Sequence, residues 1–268
     1  MNKRILKDSF KNDGAVFGVL QNIFDPLVTE AIAKSGPDFI VFDLEHAGYA
    51  IHQLDSCILT AYGYNVPVLV RPNDISQSLI EQALEAGAQG VIIPTVETVE
   101  QCKLIVSSVK YGPRGTRGFD PTYPISRWMN DYSLDTFLED ANRDTFVCIF
   151  VETPLGFKNL PEMLKVDGID CVMLGAADLT VRMGKPLPGT KACVPSDTEV
   201  TSMIDDAIKQ IRAAGKIHFS VSGEKTIKKY HDLGSRMFIA PIMDSWVLTD
   251  YYRDSAKQLR AAIGLSTD

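Results

Sequence analysis

The chain has 268 residues, 45% of them hydrophobic and 23% charged, so it can bury a full core without disulfides or a structural metal. A net charge of −7 with no block of Lys or Arg excludes a nucleic-acid surface, and no run approaches the ~20 apolar residues of a membrane span. The five cysteines are odd in number and form no C-x-x-C pair, and MNKRILKDSF lacks the apolar core of a signal peptide, so the expectation is a cytoplasmic protein with reduced, structural thiols.

AVFGVL (Ala15 to Leu20) is the first strand candidate. A helix follows from about Asp25, which can cap it, to Lys34, and Gly36-Pro37 stops it. The second strand, DFIVFD (Asp38 to Asp43), ends in the cluster Asp43-Leu44-Glu45-His46, and a helix spans Ile51 to about Tyr62. VPVLVR (Val66 to Arg71) is the third strand. Asn73-Asp74 then open the helix ISQSLIEQALEAG, closed by Gly87, in which Glu85 reads as a surface acid. GVIIP (Gly90 to Pro94) is the fourth strand, with a helix from about Val96 to Lys110. YGPRGTRGFDPTYPISRW is too long and too rich in Gly and Pro for an ordinary connection and reads as a lid or substrate loop.

FVCIFV (Phe146 to Val151) and DCVMLG (Asp170 to Gly175) are continuously apolar, the pattern of strands buried on both faces of a parallel sheet. Between them Leu155, Leu160, Met163 and Leu164 predict a crossover helix opened by Pro154, where a missing N–H costs little. A polar loop, VRMGKPLPGTKACVPSD, follows Thr180. The helix Asp197 to Ala214 leads to KIHFSV (Lys216 to Val221), the helix from Glu224 to about Leu233 leads to RMFIAP (Arg236 to Pro241), and an amphipathic helix starts at about Ser245. Eight strands alternating with helices, and no break in composition, predict one (β/α)8 barrel over residues 1–268. An open doubly wound sheet is the rival, weakened by the absence of G-x-G-x-x-G or G-x-x-x-x-G-K-[ST] after any strand.

Five polar residues fall just past strand ends: Asp43, His46, Arg71, Glu152 and Asp178. Each alone is most simply a solvated loop residue or a helix cap; five on the rim where barrels place their chemistry point to a site. Glu152 and Asp178 offer two oxygen ligands with no Cys or His beside them, a donor set for Mg²⁺ or Mn²⁺ completed by water and a chelating substrate rather than for structural zinc. Arg71 presents a planar fork suited to a carboxylate or a developing oxyanion. The other histidines, His52, His218 and His231, have no acidic cluster beside them and read as structural.

FDLEHA (Phe42 to Ala47), VRPND (Val70 to Asp74), PRGTRG (Pro113 to Gly118), SRW (Ser126 to Trp128), VETPLGFKNLPEML and LGAADLT together resemble the HpcH/HpaI aldolases, metal-dependent class II pyruvate aldolases acting on 4-hydroxy-2-oxo acids. The resemblance covers almost the whole chain. It implies a (β/α)8 barrel assembled as a homo-oligomer, often a hexamer with the final helix exchanged between subunits. It implies Glu152 and Asp178 as metal ligands, Arg71 as the residue holding the keto and carboxylate oxygens, and Asp43 and His46 as an acid–base cluster. Gly175, Ala176 and Ala177 stand where the family's backbone receives the substrate carboxylate. Glu85 stands where an acidic residue of the neighbouring subunit pairs with the histidine. The chain departs from the family in carrying Phe150 in place of a Gln before the metal glutamate, Ala176 in place of Pro, and Leu20 in place of a Trp.

The activity so implied is a carbon–carbon lyase that cleaves a 4-hydroxy-2-oxo acid into pyruvate, or a close analogue, and an aldehyde, with His46 taking the 4-hydroxyl proton directly or through water. A Schiff-base route is disfavoured because no predicted strand carries an internal Lys. Two alternatives stand beside it. One is decarboxylation or cleavage of another oxo-diacid or acyl-thioester; the other is a metal-binding protein without turnover, which Phe150 favours. The partners expected are small oxo acids and aldehydes, with no nucleic acid and no membrane.

Overall fold

The computed structural model describes residues 4–48, 51–120, 134–187 and 195–266. Eight parallel strands pair in sequence order and close with β1 against β8: β1 (Val16–Gln21), β2 (Phe39–Asp43), β3 (Val68–Arg71), β4 (Gly90–Ile93), β5 (Phe146–Val151), β6 (Cys171–Leu174), β7 (Ile217–Val221) and β8 (Met237–Met243). This is the (β/α)8 barrel that the alternation of apolar runs and helical segments predicts.

Two separate apolar layers follow from the twofold period of a strand. Phe39, Val41, Leu69, Ile92, Phe146, Cys148, Phe150, Met173, Phe219 and Ile239 fill the barrel interior. Their neighbours in sequence, among them Ile40, Phe42, Val70, Val91, Val147, Ile149 and Val172, face outward and pack under the helices. Two residues beyond Val41, Leu69 and Phe150 come Asp43, Arg71 and Glu152, so the same period aims these three polar side chains inward at the carboxyl rim.

Local signals set the helix ends. Asp25 accepts the Leu27 N–H at 2.8 Å to open α1 (Pro26–Lys34). α2 (Leu54–Gly63) and α3 (Gln77–Glu85) follow, and Gly87, at φ 113°, makes the left-handed turn into β4. Thr98 and Gln101 form a reciprocal capping box on α4 (Val99–Val109). After α5 (Leu134–Asp144), the Thr153 hydroxyl accepts the Gly156 N–H and Pro154 occupies the first turn of α6 (Pro154–Met163). The remaining helices are α7 (Ala176–Arg182), α8 (Thr198–Ala213) capped by Asp197, α9 (Glu224–Leu233) and α10 (Asp244–Ala262).

Some elements differ from expectation. The segment after β6 is a short helix, α7, and α5 was not legible in sequence. β8 runs on to Met243, with an irregular register against β1 between Gly18 and Leu20. A 3-10 segment, Leu6–Asp13, interrupted at Lys11 and Asn12, closes the amino end of the barrel. There Leu6 joins the interior layer and Phe10 stacks on Phe146 with centroids 5.9 Å apart. Cys57, Cys102, Cys148 and Cys171 are buried free thiols, as their sequence context implies; Cys193 lies outside the described residues. So do the second part of the loop expected to act as a lid, with its SRW motif, and the middle of the polar loop before α8. Among the described residues no helix is long and apolar enough to cross a membrane.

Candidate active site

Parallel pairing of β2 with β3 sets Asp43 beside Arg71. The Asp43 carboxylate is fully buried and takes Arg71 Nε on Oδ1 and Nη2 on Oδ2, both at 2.8 Å, while Oδ1 also accepts the Glu45 N–H at 3.0 Å. Arg71 is 7% exposed, and its Nη1 reaches Glu45 Oε2 at 3.1 Å. Burial works against the guanidinium charge, but the bonds and charge of Asp43, with Glu45 and Glu152 beyond, outweigh it and hold the pKa above its ordinary value. Phe150 lies under Arg71, its ring centroid 5.7 Å from Cζ. Arg71 is therefore clamped on one edge by Asp43 and supported on one face by an aromatic ring.

This changes the reading of Asp43. Sequence groups it with His46 as an acid–base cluster, yet both its oxygens are committed to Arg71. The residue beside His46 is Glu45, whose Oε2 lies 3.7 Å from His46 Nε2. Burial raises the Glu45 pKa, with Arg71 and His46 opposing and Glu152 and Asp43 adding to the rise. His46 itself is exposed and lines the cavity at the mouth. Glu45 carries no role in the sequence reading, because an acid between Leu44 and His46 gives no signal of which way it points.

Glu152, 4% exposed, is held by Thr95, whose N–H and hydroxyl donate to Oε1 at 3.1 and 2.7 Å. Thr95 adopts φ 51°, a left-handed backbone that a β-branched residue rarely takes, and this strain aims both donors at one oxygen. Burial first, then the charge of Asp178, raises the Glu152 pKa, while the Thr95 bonds lower it. Asp178 sits in the first turn of α7, exposed at the cavity. Gly175, between them in the chain, has no room for a side chain: a Cβ there would lie 2.4 Å from Glu152 Cβ and 3.1 Å from Glu152 Oε2.

Two carboxylates, one buried and held through a single oxygen, are of the type that could hold a hard cation in an open site. Among the described residues no three His, Cys, Asp or Glu side chains group closely enough to hold a cation.

A cavity of about 280 Å³ opens here, lined on the barrel side by Leu20, Arg71, Phe150 and Met173, and by Gly175, Ala176 and Ala177 at the start of α7. Phe150 is an interior wall, 5% exposed. Glu85 lies apart from this cavity, half-buried at the end of α3, its pKa raised by burial and lowered by the nearby Arg117. The structure thus brings together His46, Arg71, Asp43, Glu152, Asp178, Phe150 and the Gly175–Ala177 backbone, and leaves Glu85 outside the site of its own chain.

The HpcH/HpaI aldolase/citrate lyase family model matches residues 17–237. A 4-hydroxy-2-oxo-heptane-1,7-dioate aldolase of Klebsiella pneumoniae subsp. pneumoniae is 32% identical over 90% of this chain and 88% of its own. A hydroxypyruvate/pyruvate aldolase of Roseovarius nubinhibens is 30% identical over 95% of this chain and 96% of its own. Among solved structures, citrate synthase SbnG superposes with a TM-score of 0.81 at 28% identity, covering 96% of this chain and 97% of that one. A rim carrying a clamped arginine and a carboxylate pair, on a barrel matched along most of its length, leaves one assignment: the chain belongs to the HpcH/HpaI aldolase/citrate lyase family.

Proposed function

We propose that the protein is a divalent-metal-dependent aldolase that cleaves a 4-hydroxy-2-oxo acid to pyruvate, or a close analogue, and an aldehyde, with Mg²⁺ or Mn²⁺ held by Glu152 and Asp178. The observation that carries this reading is the Glu152–Asp178 pair at the same rim as an arginine already oriented by Asp43. When bound, the cation would draw electron density from the 2-oxo group.

The chain's own residues do the rest. Arg71, fixed by Asp43 and Phe150, meets the keto and carboxylate oxygens without reorganising, and the backbone of Gly175 to Ala177 receives the carboxylate end. His46 takes the proton of the 4-hydroxyl, with Glu45 beside it to balance the imidazolium. The C3–C4 bond then breaks, its electron pair moves toward C2, and reprotonation at C3 gives pyruvate. Asp43 acts through Arg71 and not on the substrate.

We place the protein in a homo-oligomer, on the character of α10. From Val247 onward this helix is almost wholly exposed, including Val247, Leu248, Tyr251, Tyr252 and Leu259, an apolar surface its own barrel does not cover. A hexamer with that helix exchanged, and Glu85 reaching His46 of a neighbouring subunit, belongs to the same proposal.

A second reading, bond formation or cleavage on another oxo-diacid, is favoured by Phe150, which offers no donor beside Arg71, and by the likeness to citrate synthase SbnG. Pyruvate release from a panel of 4-hydroxy-2-oxo acids, with Mn²⁺ and with EDTA, tests the proposal. Release from at least one adduct that stops in EDTA is expected; release from none overturns it in favour of the second reading or of a protein without turnover.

A further inference from the structure

The cavity does not end at the barrel mouth. Its walls include His218, Ser220, Thr226, Tyr230, Pro195 and Ile204 as well as the rim residues. On β7, Phe219 faces the interior, so His218 and Ser220 face the opposite way, toward α8 and α9, from which Ile204 and Tyr230 pack in the outer layer. The cavity therefore passes over the carboxyl ends of β6 and β7 and continues as a chamber behind the barrel wall.

This chamber contains a buried donor with nothing to donate to. His218 is 2% exposed; its Nδ1 lies 2.6 Å from Ser235 Oγ, and its Nε2 has no partner. Ser235 is fully buried, and among the described residues its hydroxyl makes no other hydrogen bond than that with this imidazole. If Nδ1 carried the proton, the serine hydrogen would be left without an acceptor; the serine therefore donates to Nδ1, and Nε2 carries the N–H. Burial also holds the His218 pKa down to about 3, so the ring stays neutral and its Nε2 is a donor only. The Ser220 and Ser222 hydroxyls, 2.6 Å apart and almost fully buried, add a second polar pair at the carboxyl end of β7, while His218 lies toward its amino end beside Ser235. A buried N–H without an acceptor is costly, and an oxygen acceptor in the chamber would remove that cost.

We propose that the chamber behind β7 is a specificity subsite for an uncharged, hydroxylated carbon chain, the aldehyde-derived half of the substrate, with His218 Nε2–H donating to one of its hydroxyl oxygens. The reading of the subsite as part of a substrate pocket rests on the aldolase proposal; the presence of a polyol-binding chamber does not. His218 is here a specificity-determining residue, with no part in bond cleavage.

Two measurements test it separately. In the first, protein labelled with ¹⁵N in its imidazole rings is titrated with glycerol and with 1-chloropropane, which has no hydroxyl, the His218 signals being assigned by their loss in His218→Gln. A saturable shift of Nε2 with glycerol and none with 1-chloropropane is expected. No saturable shift, or equal shifts, would mean that the chamber holds only water, and overturns the proposal whatever the enzyme's activity. In the second, kcat/KM is compared for the adducts of pyruvate with glyceraldehyde and with propanal. His218→Leu should lower the first about five- to tenfold and leave the second unchanged, with His218→Gln recovering part of the loss. Equal losses on both adducts would show a structural residue and refute the specificity role; Ser220→Ala, which leaves the His218–Ser235 pair intact, should show the same selective loss if His218→Leu fails to fold. A glycerol shift in a protein that releases pyruvate from no adduct of the wider panel would sink the aldolase proposal and leave the polyol chamber standing.

Discussion

Asp43 shows how far a single residue can be read from sequence. Its position two residues beyond Val41 fixes its inward aim, and the strand end fixes its depth, so a role in the site was legible. Its partner was not, because only the β2–β3 register sets it beside Arg71. With both oxygens on a nearly buried guanidinium, Asp43→Ala would remove two of its charged hydrogen bonds and leave Glu45 as the carboxylate against it, and a loss of about 3–5 kcal/mol is expected in urea unfolding. A change under about 1 kcal/mol would show that Arg71 does not depend on it. Glu152 and Arg71 were legible for the same reason as Asp43. Thr95 was not: nothing in GVIIPTVET marks a threonine that will take a left-handed backbone to present two donors. His218 reads as structural because no acidic cluster stands beside it in the sequence, and its unpartnered nitrogen is visible only once α8 and α9 are in place.

At the level of elements, strands and long helices were legible from periodicity and caps, while AADLTVR, at seven residues, is too short to show a helical period. Yet the β6–α7 junction is where the two carboxylates of the candidate metal site meet. Gly175 is there for space, its φ of −86° being open to any residue. A Cβ would collide with Glu152 Cβ at 2.4 Å, so Gly175→Ala must displace the glutamate or the start of α7. The expected result is an overpacking cost of about 1–3 kcal/mol together with a metal affinity lowered at least tenfold by titration. Unchanged affinity would separate Glu152 from the metal. The other informative element is α10, whose amphipathic pattern is plain in sequence but whose uncovered apolar face is not. Replacing Leu248 and Tyr252 with Asp should convert the oligomer to smaller species in light scattering; a monomeric wild type would remove the reason for the exposed face.

For the molecule as a whole, closure of eight strands was legible because each apolar run ends in a turn signal and no run stands without a following helix. The amino-terminal plug was not legible, since LKDSFKND has neither helical period nor strand alternation, and Leu6 is recruited only because the barrel leaves its lower end open. Arg71, His46 and Asp178 line one cavity at the opposite end, with Asp43 and Glu152 buried beside it, and we propose that the barrel serves to hold Arg71 and the Glu152–Asp178 pair at fixed separation around a 2-oxo acid. Solvent deuterium exchange into the methyl group of pyruvate, followed by NMR, tests that claim without requiring the aldehyde to be known. The wild-type protein with Mg²⁺ or Mn²⁺ should catalyse the exchange, and Glu152→Gln, still folded, should lose it by at least about a hundredfold. Exchange at the wild-type rate in Glu152→Gln, or in EDTA, would contradict the assignment of this carboxylate pair to the chemistry.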